Sequence, residues 1–115
     1  MTKERDVVFL KHMIAEIVKI EKSTKGISLP SFKKNVDIQD AVIRRIEVIG
    51  EAVKGVSDEL KSKYPEVEWK KIAGTRDVLI HAYFSVDLDL TWEIVRRNVP
   101  ILKKQTQKIL DEIKK

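Results

Sequence analysis

From Ile38 to Leu60 the apolar residues Ile38, Val42, Ile46, Ile49, Val53, Val56 and Leu60 follow at steps of 4, 4, 3, 4, 3 and 4. Steps of three and four return to one face of an α-helix, whereas a strand needs steps of two. The spacing therefore predicts one helix from Asp37, an acceptable N-cap, to about Lys63, ahead of the helix-breaking Tyr64-Pro65 pair. Ala41, Val48 and Ala52 widen the stripe to a second contact face. A helix with two faces to cover belongs at the centre of a bundle or at a subunit interface. Gly50 and Gly55 interrupt it, and each costs about 1 kcal/mol relative to Ala. A small residue beside Ala52 lets another backbone approach, so both glycines point to packing or an interface. Glu51 reads as a surface acid, or as the neighbour of a basic site.

The other segments fit around this helix. Val7, Leu10, Ile14 and Ile17 mark a first helix from Asp6 to about Lys22, broadened by Phe9, Met13, Val18 and Ile20. His12 projects away from that stripe into solvent. Gly26 ends the helix, Ser28–Ser31 forms a turn, and residues 32–35 form one helical turn. Trp69 and Ile72 anchor a short turn between Glu66 and Ala73. Gly74 then resets the chain, and Thr75 is expected to cap a helix through Tyr83 that closes over Phe84–Asp87. A helix from Leu88 to Arg97 follows. Asn98 and Pro100 start a last helix through Leu102, Ile109 and Ile113, or Pro100 kinks one longer helix. No segment alternates well enough for a strand. The expected class is all-α, a four- to five-helix up-and-down bundle forming a single domain over residues 1–115.

Composition narrows the function. At 115 residues the chain can bury one core. It has no cysteine, which removes disulfides, thiolate metal sites and cysteine nucleophiles. Its net charge of +5 comes from 23 basic and 18 acidic residues, and charged residues reach 36%. That pattern fits either attraction to a polyanion or a Lys/Glu-rich solvated surface. No run of five or six like charges forms a basic tail. The charged N-terminus leads into no long apolar segment, so neither a signal peptide nor a membrane span is expected, and the cytoplasm is the expected location.

The chemistry gathers in Gly74–Tyr83, which holds Arg76, Asp77, His81 and Tyr83. On a helical wheel with Arg76 at zero, Tyr83 falls at roughly −20°, Asp77 at roughly 100° and His81 at roughly 140°. The four would share a broad polar face, with Val78, Leu79 and Ala82 forming an apolar stripe opposite. Metal binding fails on ligand count, no Gly-rich loop opens a helix with Lys-Ser or Lys-Thr, and no serine triad is visible. Phosphate chemistry without a metal remains. Arg offers a fixed fork of donors to phosphate oxygens, and His exchanges a proton near neutral pH. Asp77 could orient His81, and Tyr83 adds a hydroxyl. Together they suit RNA cleavage by the RNA's own 2′-OH. One His serves poorly as both acid and base, so two copies in one cleft are expected. Alone, Arg-x4-His is a weak signal, since helices contain such pairs by chance.

Arg76-Asp77-x3-His81-x-Tyr83 resembles the Arg-x4-His-x-Tyr motif of HepT-like toxins, all-α ribonuclease domains of the HEPN superfamily. The likeness extends through Gln39–Arg44 and Ile49–Ala52, then Lys63-Tyr64-Pro65 with Trp69, and on to Tyr83–Asp87 and Trp92–Val95. It covers about Asp6 to Leu110 in matching order. The resemblance implies a metal-independent endoribonuclease without cofactor, acting on tRNA or mRNA. Arg76 and His81 would be catalytic and Asp77 supporting, at the cleft of a homodimer. It also implies a type VII-like toxin–antitoxin pair. The antitoxin would be an MntA-like nucleotidyltransferase, joined to the toxin in a larger hetero-oligomer or acting on the dimer. It silences the toxin by transferring AMP to Tyr83, whose added charge and bulk would repel and block RNA. The alternative is a non-catalytic HEPN subunit that binds a nucleotidyltransferase or a nucleotide.

Overall fold

The stripe from Val42 to Leu60 is buried in the computed structural model, which describes residues 2–82 and 85–114. It belongs to two helices, α3 (Val36–Gly55) and α4 (Asp58–Lys63). Before them lie α1 (Thr2–Thr24) and α2 (Leu29–Lys34). After them come α5 (Trp69–Ala73), α6 (Thr75–Leu79), the strands β1 (Ile80–Ala82) and β2 (Ser85–Val86), then α7 (Leu88–Glu93) and α8 (Val99–Ile113).

The single long helix expected from Asp37 to Lys63 is broken at Val56, which is extended at φ −70 and ψ 139. A reason is visible in the neighbouring helix. Ser57 donates its backbone N–H to Asp6 Oδ1 at 2.8 Å and its hydroxyl to Asp6 Oδ2 at 2.6 Å. Its Oγ in turn caps α4 by accepting from Leu60 N at 3.2 Å. An unbroken helix would need that same N–H for Val53, and Gly55 is a poor helix former at the break. The cap at the other end is Asn35, whose Oδ1 accepts from Ile38 N at 3.1 Å, and not Asp37. Asp37 lies in the first turn, where its charge favours the helix dipole.

Leu10, Met13, Ile17 and Ile20 of α1 are fully buried and meet Val42, Ile46, Ile49 and Val53 of α3 in one apolar cluster. Gly55 serves this contact, because an added Cβ would lie 2.5 Å from the Phe9 ring. Gly50 serves the opposite one. An added Cβ there would lie 3.2 Å from the Ala73 carbonyl oxygen and 3.3 Å from that of Ile72. Both glycines thus have the packing role expected of them, within this chain.

Cross-contacts give the helix directions. Glu16 meets Arg45 at 3.9 Å while Asp6 meets Ser57, so α3 runs antiparallel to α1. Ala73 lies at Gly50 and Arg76 at Glu47, so α5 and α6 run back along α3. Lys103 pairs with Glu21 at 2.7 Å, and Ile113 shares a cleft with Asp6, so α8 is antiparallel to α1. The result is a four-legged up-and-down all-α bundle of 44 × 29 × 20 Å, with α5–α6 as a short third leg.

Three further expectations change. Thr75 does not cap α6: its hydroxyl donates to Lys71 O at 2.9 Å, and Gly74 occupies the cap position. The helix expected through Tyr83 stops at Leu79, and the chain forms an antiparallel pair with Ile80 opposite Val86 and Ala82 opposite Ser85. Asp87 N closes the pair on Leu79 O at 2.8 Å. Ile80 and Val86 are β-branched and half-buried, which suits a pleated surface better than a helix. Finally, α7 passes into α8 without a break through the π-turn Ile94–Asn98, where Val99 N–H bonds to Ile94 O. Pro100 has no N–H and its ring crowds the preceding turn, and the wider π-turn accommodates it. The alternative of one kinked helix describes this leg.

Candidate functional site

Arg76 stands on α6, a five-residue helix joined to α5 through a bend at Gly74. Leu79, fully buried, fastens α6 to the core. Val78, expected in the same apolar stripe, is instead 58% exposed. Of the apolar stripe drawn for this segment, Leu79 is core and Val78 is surface.

The Arg76 side chain is 47% exposed, and its Nε lies 2.5 Å from Glu47 Oε2 on α3. Glu47 is also bound from its own helix, where Arg44 Nη1 donates to Oε1 at 2.6 Å. The hydrogen bond from Arg44, then the charges of Arg76 and Arg44, hold the Glu47 carboxyl below its ordinary value of 4.5 against the opposing effect of partial burial. Sequence reasoning missed Glu47 as a site residue. No local pattern marks it, because Glu47 meets Arg76 only once α6 runs back along α3.

Asp77 is exposed, and its Oδ1 lies 3.7 Å from Arg76 Nη1, an ion pair too long for a hydrogen bond. Because α6 ends at Leu79, Asp77 and His81 are not successive turns of one helix, and the shared helical face drawn for Arg76, Asp77, His81 and Tyr83 is replaced by a helix-to-strand junction. The backbone of His81 lies in β1, immediately beyond α6. The His81 side chain and all of Tyr83 lie outside the described residues.

Beside Arg76 is a pocket of about 190 Å³ whose lining includes Glu47, Glu51, Lys54, Arg76 and Asp77. Three acids and two bases make it no anion cradle by itself, and Lys54 is already paired with Glu51 at 3.2 Å. On the other side of α6 a larger, more apolar groove of about 360 Å³ separates α5–α6 from α7–α8, with Ile46 and Ile49 among its lining residues. Val78 and the 55% exposed Ile101 contribute to it. No helix among the described residues is long and apolar enough to cross a membrane.

The family described as Ribonuclease HepT-like matches residues 13–109, a span that contains this junction and most of the bundle. The chain belongs to the HepT-like ribonuclease family. Among its relatives is a Methanocaldococcus jannaschii protein named "Gamma-glutamylcyclotransferase and putative RNase", 45% identical over 108 residues. That match covers 94% of this chain and 49% of the relative, so the HepT-like chain spans about half of that protein's length. A "Putative RNase" of Caldanaerobacter subterraneus subsp. tengcongensis is 41% identical over 106 residues, covering 92% of this chain and 95% of its own. A "Probable ribonuclease HepT" of Thermococcus cleftensis is 39% identical over 101 residues, covering 88% and 92% respectively. No solved structure matches.

Proposed function

We propose that this HepT-like chain is a metal-independent endoribonuclease that cleaves tRNA or mRNA through attack of the RNA's own 2′-OH. The observation that carries the reading is the half-exposed Arg76, tethered at Glu47, standing just before the junction at which the chain reaches His81. Arg76 is the group for the phosphate oxygens and His81 moves the proton, with Asp77 as the supporting acid. Relatives named as ribonucleases support this chemistry. With two histidines and no cysteine in the whole chain, a His/Cys metal set has few ligands to draw on, which favours chemistry by side chains alone.

The reading requires a homodimer. One protomer brings one His to the site, and its Arg76 pocket holds more acids than bases. A second copy facing the same cleft would supply a second His81 and a second Arg76. The same reading makes the chain the toxin of a type VII-like pair. A MntA-like nucleotidyltransferase would silence it by AMP transfer to Tyr83, adding negative charge and bulk that would repel and block RNA.

Cleavage of tRNA and mRNA by purified protein in EDTA, against Arg76→Ala and His81→Ala, tests the activity. Cutting by wild type alone supports it, and equal behaviour of all three sinks it. Incubation with ATP and a nucleotidyltransferase, read by mass spectrometry, tests the control step. A Tyr83 adduct on a protein with no prior nuclease activity would favour the non-catalytic subunit instead.

A further inference from the structure

We propose that Glu47 is the positioning residue that presents Arg76 to the RNA phosphate, an inference that rests on the nuclease reading of the same site. Arg76 projects from a helix of only five residues and is half-exposed, so on its own it would sample many rotamers. A guanidinium that stabilises a transition state must be fixed before the charge develops. Glu47 supplies the fixing point from a long helix anchored in the core. It stands on the 20-residue α3 between the buried Ile46 and Ile49, and both of its carboxylate oxygens are engaged. Oε2 meets Arg76 at Nε, and Oε1 accepts from Arg44.

The geometry of the contact is what makes it useful. A guanidinium has five N–H groups, and contact on the Nε side leaves donors of the Nη groups for a phosphate. The Asp77 carboxylate lies near those groups, 3.7 Å from Nη1. An anion there would meet a side chain held from behind. The Glu47 charge, which opposes a phosphate, is itself shared with Arg44, so the tether adds little repulsion.

The test is steady-state cleavage in EDTA by wild type, Glu47→Ala, Glu47→Gln, Arg76→Ala and the Glu47→Ala/Arg76→Ala pair. Circular dichroism confirms that each is folded, and Gln keeps the side-chain volume if Ala does not fold. Loss of orientation predicts that kcat falls about 10- to 100-fold in Glu47→Ala while KM changes little. Gln, which keeps one acceptor oxygen, retains more activity than Ala, and Glu47→Ala adds nothing once Arg76 is gone. A second readout needs no activity: the Arg76 Nε–H resonance, distinct in wild type, should average with the exposed arginines in Glu47→Ala. Unchanged or increased kcat in Glu47→Ala, an effect on KM alone, additive losses in the pair, or an unmoved Nε–H resonance would each overturn the proposal. An inactive wild type, or an Arg76→Ala as active as wild type, removes the nuclease reading itself. A dead Arg76→Ala beside a fully active Glu47→Ala removes only the role of Glu47.

Discussion

Leu79→Ala is the substitution that most sharply probes how α6 is held. Leu79 is fully buried, ends the helix that carries Arg76, and directly precedes the strand that contains His81. Truncating a buried Leu to Ala removes about 2–5 kcal/mol, through lost transfer energy and the cavity left behind. Taking about 3 kcal/mol, and an unfolding entropy of roughly 0.24 kcal/mol/K for a chain of this length, Tm should fall by about 12 °C. Total stabilities of roughly 5–15 kcal/mol leave the variant folded at room temperature. The control is its neighbour: Val78→Ala, at a 58% exposed side chain, should move folding by no more than about 0.5 kcal/mol, or roughly 2 °C. Thermal and urea unfolding followed by circular dichroism at a fixed protein concentration read both. A Leu79→Ala shift below about 4 °C, or one no larger than that of Val78→Ala, would refute the assignment of Leu79 to the core and Val78 to the surface.

Asp6→Ala should cost about 1–3 kcal/mol in urea unfolding, because it strips two hydrogen bonds from Ser57 at the α3–α4 break; a change under about 0.5 kcal/mol would mean that the break does not depend on Asp6. The Glu47 carboxyl is lowered in the fold, so its contribution is complete above the ordinary value of 4.5 and is lost as pH falls through the lower folded value. The stability difference between wild type and Glu47→Gln should therefore shrink in acid, by well under about 1 kcal/mol because the site is partly solvated; a difference that persists unchanged at low pH contradicts this.

Periodicity carried most of the bundle because long amphipathic helices repeat their instruction every turn. In α1 and α3 many apolar positions agree on one face, so Leu10, Ile17, Val42 and Val53 were all legible as core. Where an element is short, one contact from a distant residue decides it, and local pattern has no access to that contact. The α3–α4 break depends on Asp6, 51 positions away from Ser57. The end of α6 depends on Ile80 finding Val86 and on Asp87 closing onto Leu79, pairings that a helical wheel cannot represent. The π-turn before Pro100 was half-visible, since the proline announces a disturbed helix without saying how it is absorbed.

The site divides in the same way. Arg76 was legible because Arg-x4-His-x-Tyr, weak as an isolated pair, sits among segments that follow the family's order along the chain. Glu47 was not, because its meaning comes from the return of α6 along α3 and from no local motif. Gly50 links the two levels. It reads locally as a weak point in a helix, and in the fold it is where the Ile72 and Ala73 carbonyls come close enough for α6 to reach Glu47.

The chemistry of the cut ends distinguishes attack by the RNA's own 2′-OH from hydrolysis by water. RNA cleaved by wild-type protein in EDTA should carry a 2′,3′-cyclic phosphate on one fragment and a 5′-hydroxyl on the other, and a single 2′-deoxy substitution at the cut position should protect it. Fragments ending in a 3′-hydroxyl and a 5′-phosphate, or cleavage of the 2′-deoxy substrate at the same position, would contradict attack by the RNA's own 2′-OH.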